Sequence, residues 1–243
     1  MKTNSYQPRL YRLLYSSKFF KQEVTVKESD LFISSDVQIE RGHIKSLIIK
    51  YRKQIEAYIE KNKDFLVSLK PLKLDKNACS IIQQMLYYSN LAGVGPMAAV
   101  AGAIAEFVGN ELLKECNEVI IENGGDIFLK TKRDIKVGVY AGDSVFSNKI
   151  FIKIKKQQTP LGICTSSGTV GHSLSFGNAD AVVILSSSAI FSDAVATATA
   201  NLVKTNKDFK KAINFVKNIK GINGVLIIYK DNLGVWGDFE ISC

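Results

Sequence analysis

Ser192-Asp193-Ala194-Val195-Ala196-Thr197 places one carboxylate and one hydroxyl four residues apart inside a run that otherwise reads as helix. That spacing puts both oxygens on one helical face. A hard cation such as Mg²⁺ takes oxygen ligands and is commonly held by one or two protein groups with phosphate and water. An Asp followed one turn later by a Thr therefore suits half of such a site. The plainer alternative is an early-helix carboxylate followed by a threonine bonded back to its own helix.

The charge pattern around this stretch is uneven. The chain carries 32 Lys and Arg against 23 Asp and Glu, a formal net charge of +9. Yet no Lys or Arg occurs between Lys156 and Lys204, where Asp180 and Asp193 are the only charged residues. A second blank runs from Lys76 to Lys114 and holds only Glu106 and Glu111. Both segments read as buried, or as lying around a ligand. The lysines elsewhere are scattered along amphipathic segments with no nucleic-acid motif, so no nucleic-acid partner is expected. Cys79, Cys116, Cys164 and Cys243 form no C-x-x-C pair, and His43 and His172 are the only histidines, which argues against structural zinc. The N-terminus lacks an apolar signal-peptide core, and the longest apolar run, Met97 to Ala105, falls far below the ~20 residues of a membrane span. A soluble, cytoplasmic protein with no membrane contact is expected.

At 243 residues the chain suits one α/β domain or two closely packed lobes, about 1–92 and about 93–243. Leu10–Ser16, Gln22–Lys27 and Leu31–Ser34 read as strands. Asp36 then suits the N-cap of a long helix with Ile44, Leu47, Ile48, Tyr51, Ile55 and Ile59 on its buried face. A second helix is expected over Ala78–Leu91. After the breaker Ala92-Gly93-Val94-Gly95-Pro96, a third runs from Met97 to about Lys114. The small residues Ala98, Ala99, Gly102, Ala103 and Ala105 make that third helix thin, fit for close packing within one subunit or across a homodimer. Its N-terminus could alternatively face an anionic ligand. Glu118–Glu122, Ile127–Thr131, Ile135–Tyr140 and Lys149–Lys155 read as an antiparallel meander. A Gly/Ser/Thr-rich loop follows Pro160. Strand Ala181–Leu185, the helix carrying Asp193, a basic helix Asp208–Ile219 and strands Val225–Tyr229 and Leu233–Trp236 complete the pattern.

Asn123-Gly124-Gly125-Asp126 reads first as a hairpin turn, because glycine adopts positive φ freely. Thr165-Ser166-Ser167-Gly168-Thr169 is an ordinary polar loop or one whose hydroxyls and amides cradle a phosphate or ribityl chain. Cys164 and His172 flank it, either as structural residues or as a thiolate and its base, with the Cys164 pKa then lowered.

The order of these pieces resembles the ApbE family, the FAD:protein FMN transferases once linked to thiamine biosynthesis. The matching pieces are Gly124-Gly125-Asp126, Thr165-Ser166-Ser167-Gly168 and Asp193-Ala194-Val195-Ala196-Thr197. The chain is more similar still to a small ApbE-like branch marked by the segments 93–106 and 164–173, some members of which have been associated with sulfide assimilation into homocysteine. The resemblance implies an α+β or α/β ApbE-like fold with mixed sheets and long helices packed on them. It also implies FAD or FMN as ligand and Mg²⁺, or another divalent cation, held by Asp193 and Thr197 against a pyrophosphate. Gly124, Gly125, Thr165, Ser166, Ser167 and Gly168 would contact the nucleotide, and Asp126, His172 and Cys164 would be the candidate catalytic groups. The H-x-x-D-P-x-T-G segment of the transferases has no counterpart, since this chain contains no Asp-Pro dipeptide. Three functions follow as expectations: a flavin or pyrophosphate-nucleotide site with transferase or pyrophosphatase chemistry, a sulfur-handling enzyme using Cys164, or a non-catalytic binding subunit.

Overall fold

The computed structural model describes residues 19–168 and 176–243. The strand expected at 10–16, together with Thr169 and His172, lies outside them. Eleven strands and six α-helices are found among the described residues: β1 (Phe20–Val26), β2 (Ser29–Ser35), α1 (Arg41–Lys61), α2 (Asp64–Val67), α3 (Ser80–Ala92), α4 (Val100–Leu112), β3 (Val119–Asn123), β4 (Asp126–Lys130), β5 (Ile135–Gly138), β6 (Phe151–Ile154), β7 (Leu161–Ser166), β8 (Ala181–Ser186), α5 (Ala189–Leu202), α6 (Phe209–Lys217), β9 (Ile222–Tyr229), β10 (Asn232–Gly237) and β11 (Glu240–Ser242).

One eight-stranded sheet has the order β1-β2-β3-β4-β7-β8-β9-β10, and a smaller one has the order β11-β6-β5. Each pairing in both is antiparallel. Strands from either side of residue 92 share the large sheet.

Side chains alternate across a strand, so the central strands of the large sheet feed two cores. Ile121, Phe128, Cys164, Val182, Ile184, Val225 and Ile227 pack toward the helices. Ile120, Ile127, Leu129, Ile163, Val183, Leu185, Leu226 and Ile228 pack toward the small sheet. This double burial explains why the central strands read as nearly continuous apolar runs.

Three local differences from the sequence reading have physical causes. Helix α1 begins at Arg41, with Glu40 as N-cap and no side-chain cap bond. Asp36 instead accepts the amides of Asn117 and Glu118 at 3.0 and 3.1 Å, joining the end of β2 to the start of β3. The expected third helix is split: Pro96–Ala99 forms a 3-10 turn before α4 starts at Val100. Strand β7 reads as a polar loop because Leu161-Gly162-Ile163-Cys164-Thr165-Ser166 mixes glycine and hydroxyls with few large side chains, yet it lies buried between β4 and β8.

Among the described residues no single helix is long and apolar enough to cross a membrane. The apolar residues of α3 and α4, including Ile81, Ile82, Met85, Ile104 and Leu112, are spent on the core.

Candidate functional site

The site forms at one end of the large sheet, where β3, β4 and β7 meet helices α4 and α5. The turn between β3 and β4 is as tight as a hairpin allows: Asn123 pairs with Asp126, and Gly124 and Gly125 carry φ values of 70° and 102°. Glycine is the residue that takes such angles at two successive positions without strain. The Glu122 carboxylate accepts the Gly125 amide at 2.6 Å, and the Asn123 side-chain amide donates to the Ala101 carbonyl at 3.1 Å, tying the turn to α4.

Asp126, the first residue of β4, faces the helices. Its Oδ1 accepts the Thr165 amide at 3.2 Å, so the Gly-Gly-Asp turn and the Thr-Ser-Ser-Gly segment meet directly. From the opposite side comes Asp193 of α5, whose Oδ2 accepts the Gly102 amide at 2.9 Å. The Ala101 amide also bonds this carboxylate. Asp193 thus occupies the exposed amides of α4's first turn, where a helix favours negative charge. The anion met by that helix N-terminus is the protein's own carboxylate.

Helices α4 and α5 run antiparallel, and the exchange between them is reciprocal. The Glu106 carboxylate of α4 accepts the Ser188 hydroxyl at 2.8 Å and the Ile190 amide at 3.2 Å, and it also bonds the Ala189 amide. Each helix therefore supplies a carboxylate to the other's N-terminus. Gly102 makes the approach possible, since a Cβ there would stand 2.3 Å from the Ala189 carbonyl oxygen.

Burial raises the pKa values of Asp193, Asp126 and Cys164. Asp193 is pushed up to about 7 by desolvation, against the lowering effect of the Gly102 and Ala101 amides. Asp126 is raised well above the usual carboxylate range by burial first and by the Asp193 charge second. The Cys164 thiol lies 3.2 Å from the Ala189 carbonyl oxygen and is hydrogen-bonded with Asp126. Its pKa is pushed well above the ordinary thiol value by burial, then by Asp126 and Asp193. The lowered pKa expected for Cys164 is thus reversed, because the thiol is buried and two carboxylates lie near it. Iodoacetamide should accordingly label exposed Cys79 and Cys243 in the native protein and reach Cys164 only in denaturant, as read by peptide mass spectrometry. Labelling of Cys164 as fast as Cys79 would contradict this environment.

The remaining sequence candidates divide. Thr197 is partly exposed on α5, one turn beyond Asp193. Ser166 is buried at the end of β7, and its hydroxyl has no hydrogen-bond partner among the described residues. Gly168 donates its amide to the Ala179 carbonyl at 2.9 Å, and Ser167 precedes it at the surface edge. The sequence did not single out as site groups Glu106, Asn123 or the Ala101–Gly102 amides, which tie the turn and the two helices together. Their signal was the isolation of Glu106 and Asp193 in stretches otherwise nearly free of charge.

Two buried carboxylates and an unpartnered hydroxyl are hard oxygen donors short of positive charge, which is the chemistry that fits a divalent cation. Among the described residues no cluster of three or more His, Cys, Asp or Glu could hold a metal ion. A cation would have to complete its shell with hydroxyl, carbonyl or water oxygens and with oxygens of a ligand.

Against known proteins, the family model described as AbpE bacteria matches residues 12–232. A UPF0280 protein of Methanocaldococcus jannaschii is 38% identical over 229 residues, covering 90% of this chain and 91% of that protein. Another, from Methanobrevibacter smithii, is 40% identical over 222 residues, covering 89% and 92%. Among solved structures, the apo flavinyl transferase ApbE of Pseudomonas stutzeri aligns with a TM-score of 0.61 at 10% identity, over 92% of this chain and 96% of that one. The flavin transferase ApbE of Vibrio cholerae aligns at 0.59 with 10% identity, over 90% and 96%. The architecture is the ApbE-like fold, with antiparallel sheets packed by helices.

Proposed function

Because this chain belongs to the UPF0280 family and has the ApbE-like fold, we propose that it binds a flavin nucleotide, or a related pyrophosphate-bearing nucleotide, together with a divalent cation. The observation that carries the reading is the buried pair Asp126 and Asp193, together with a buried Ser166 hydroxyl at the end of β7 that has no partner among the described residues. Such a pair is costly unless something positive joins it.

Asp193 and Thr197 would hold the cation, with Asp126 close to it. A bound divalent cation would offset negative charge on pyrophosphate oxygens. The chain's own groups set the rest. The amides of α4's first turn are committed to Asp193, so they orient that carboxylate. Ser166 offers a hydroxyl toward a polar ligand group. Asp126, whose pKa is raised by burial and by the Asp193 charge, would be the group that manages the proton of the attacking hydroxyl or water in transferase or pyrophosphatase chemistry. Cys164 stays protonated beside it, which argues against thiolate chemistry and favours the nucleotide reading over the sulfur-handling one.

Calorimetric titration with FAD, with and without Mg²⁺, tests the proposal. Cation-dependent binding is expected in the native protein, weakened at least about a hundredfold in Asp193→Asn, which keeps an acceptor for the α4 amides. Unchanged affinity in the variant would remove Asp193 as a ligand. No FAD binding by the native protein in Mg²⁺ would overturn the flavin reading.

A further inference from the structure

A second feature lies farther along α4, facing α3 instead of the sheet end. A cavity of about 550 Å³ is lined by Glu106, Tyr87, Tyr88, Gln84, Asp75 and Lys76 with their neighbours. That volume is in the range of small-molecule sites. We infer that this cavity binds a small organic ammonium ion, with Glu106 as counter-charge and Tyr87 and Tyr88 as aromatic wall.

The charged groups lining the cavity are not equivalent. Asp75 is already committed, accepting the Tyr58 hydroxyl at 3.1 Å and the Asn77 amide at 2.9 Å. Lys76 is exposed, so its charge stands in solvent at the edge. Glu106 is different. Its hydrogen bonds come from Ser188, Ile190 and Ala189, all uncharged donors, and among the described residues no Lys, Arg or His forms an ion pair with it. Burial raises its pKa despite those three bonds.

The wall beside it is aromatic and held in place. Tyr88 stacks on Phe191 with centroids 5.0 Å apart, and its hydroxyl bonds Ser188. Tyr87 meets Tyr88 edge to face at 5.1 Å and is itself half exposed. A carboxylate joined to aromatic rings is the combination that selects ammonium groups, through charge pairing and cation–π attraction. A hard metal ion would need several free oxygen ligands, whereas Asp75 is held by the Tyr58 hydroxyl and the Asn77 amide, and Glu106 already accepts bonds at the start of α5. An anion would meet Glu106 with like charge. The inference stands apart from the nucleotide reading, because neither Asp126 nor Asp193 lines this cavity.

The test uses the whole chain, labelled with ¹⁵N, and two probes of nearly equal shape: 2-phenylethylammonium and uncharged 2-phenylethanol. Saturable amide shifts are expected at residues 74–76 and 83–88, with the ammonium binding at least about tenfold tighter than the alcohol. Glu106→Gln, which can still accept the α5 amides, should abolish that preference, and Tyr87→Ala should weaken the ammonium several-fold. Equal affinities, shifts confined to other regions, or no saturable shift would each overturn the inference. If Glu106→Gln does not fold, the charge preference in the native protein and the Tyr87→Ala comparison decide it.

Discussion

Gly102→Ala should lower the unfolding free energy by about 3 kcal/mol, at the upper end for overpacking a buried contact. The added methyl would lie 2.3 Å from the Ala189 carbonyl oxygen and 2.9 Å from the Asp193 Cβ. Neither neighbour can turn away. The start of α5 is confined from the other side by β7, where a Cβ on Gly162 would stand 2.3 Å from the Ala189 amide nitrogen. Ala189 is thus wedged between two glycines, one on α4 and one on the sheet. Separating α4 from α5 to admit a methyl would also stretch the Gly102–Asp193 and Glu106–Ile190 bonds. Urea unfolding of native protein and variant, monitored by circular dichroism, measures the loss. A change below about 1 kcal/mol would show that the helices yield more easily than this close approach implies.

How much of this arrangement could be read from the chain depends on whether a residue's partner is near in sequence. The Gly124-Gly125 turn was legible because its requirement, two successive positive φ angles, is local. The helix bearing Asp193 was legible because its spacing is local as well. Strand β7 was not, since Gly162 and the hydroxyls of Thr165 and Ser166 make sense only once α5 and β8 cover them. The Cys164 environment had its sign reversed for the same reason. Sequence proximity offered His172, which lies outside the described residues; the sheet supplies Asp126 from β4, and helix packing supplies Asp193. Glu106 stood out as one of two charges in an apolar helix, but its role at the start of α5 depends on an antiparallel packing that no local pattern encodes.

Asp126→Asn is expected to stabilise the protein at pH 8 while removing its response to Mg²⁺, and the two effects share a cause. In the cation-free protein Asp193 has its pKa raised from an ordinary 3.8 to about 7, and Asp126 is raised as well. Between those values the folded state binds more protons than the unfolded chain, so stability falls as pH rises through the window. The Asp193 contribution is fully present below about pH 4 and has been lost by pH 8. Asparagine at 126 keeps an oxygen for the Thr165 amide but removes one of the two charges. A higher melting temperature at pH 8, with the gain shrinking toward pH 4, follows because burial and the Asp193 charge both oppose ionisation of Asp126 in the folded state. Mg²⁺ should raise the melting temperature of the native protein at pH 8 by mass action and leave Asp126→Asn nearly unmoved. A residue kept at a stability cost is one whose charge has another use. If Asp126→Asn is instead less stable than the native protein at pH 8, the pair is structural; if Mg²⁺ protects both proteins equally, the cation lies elsewhere.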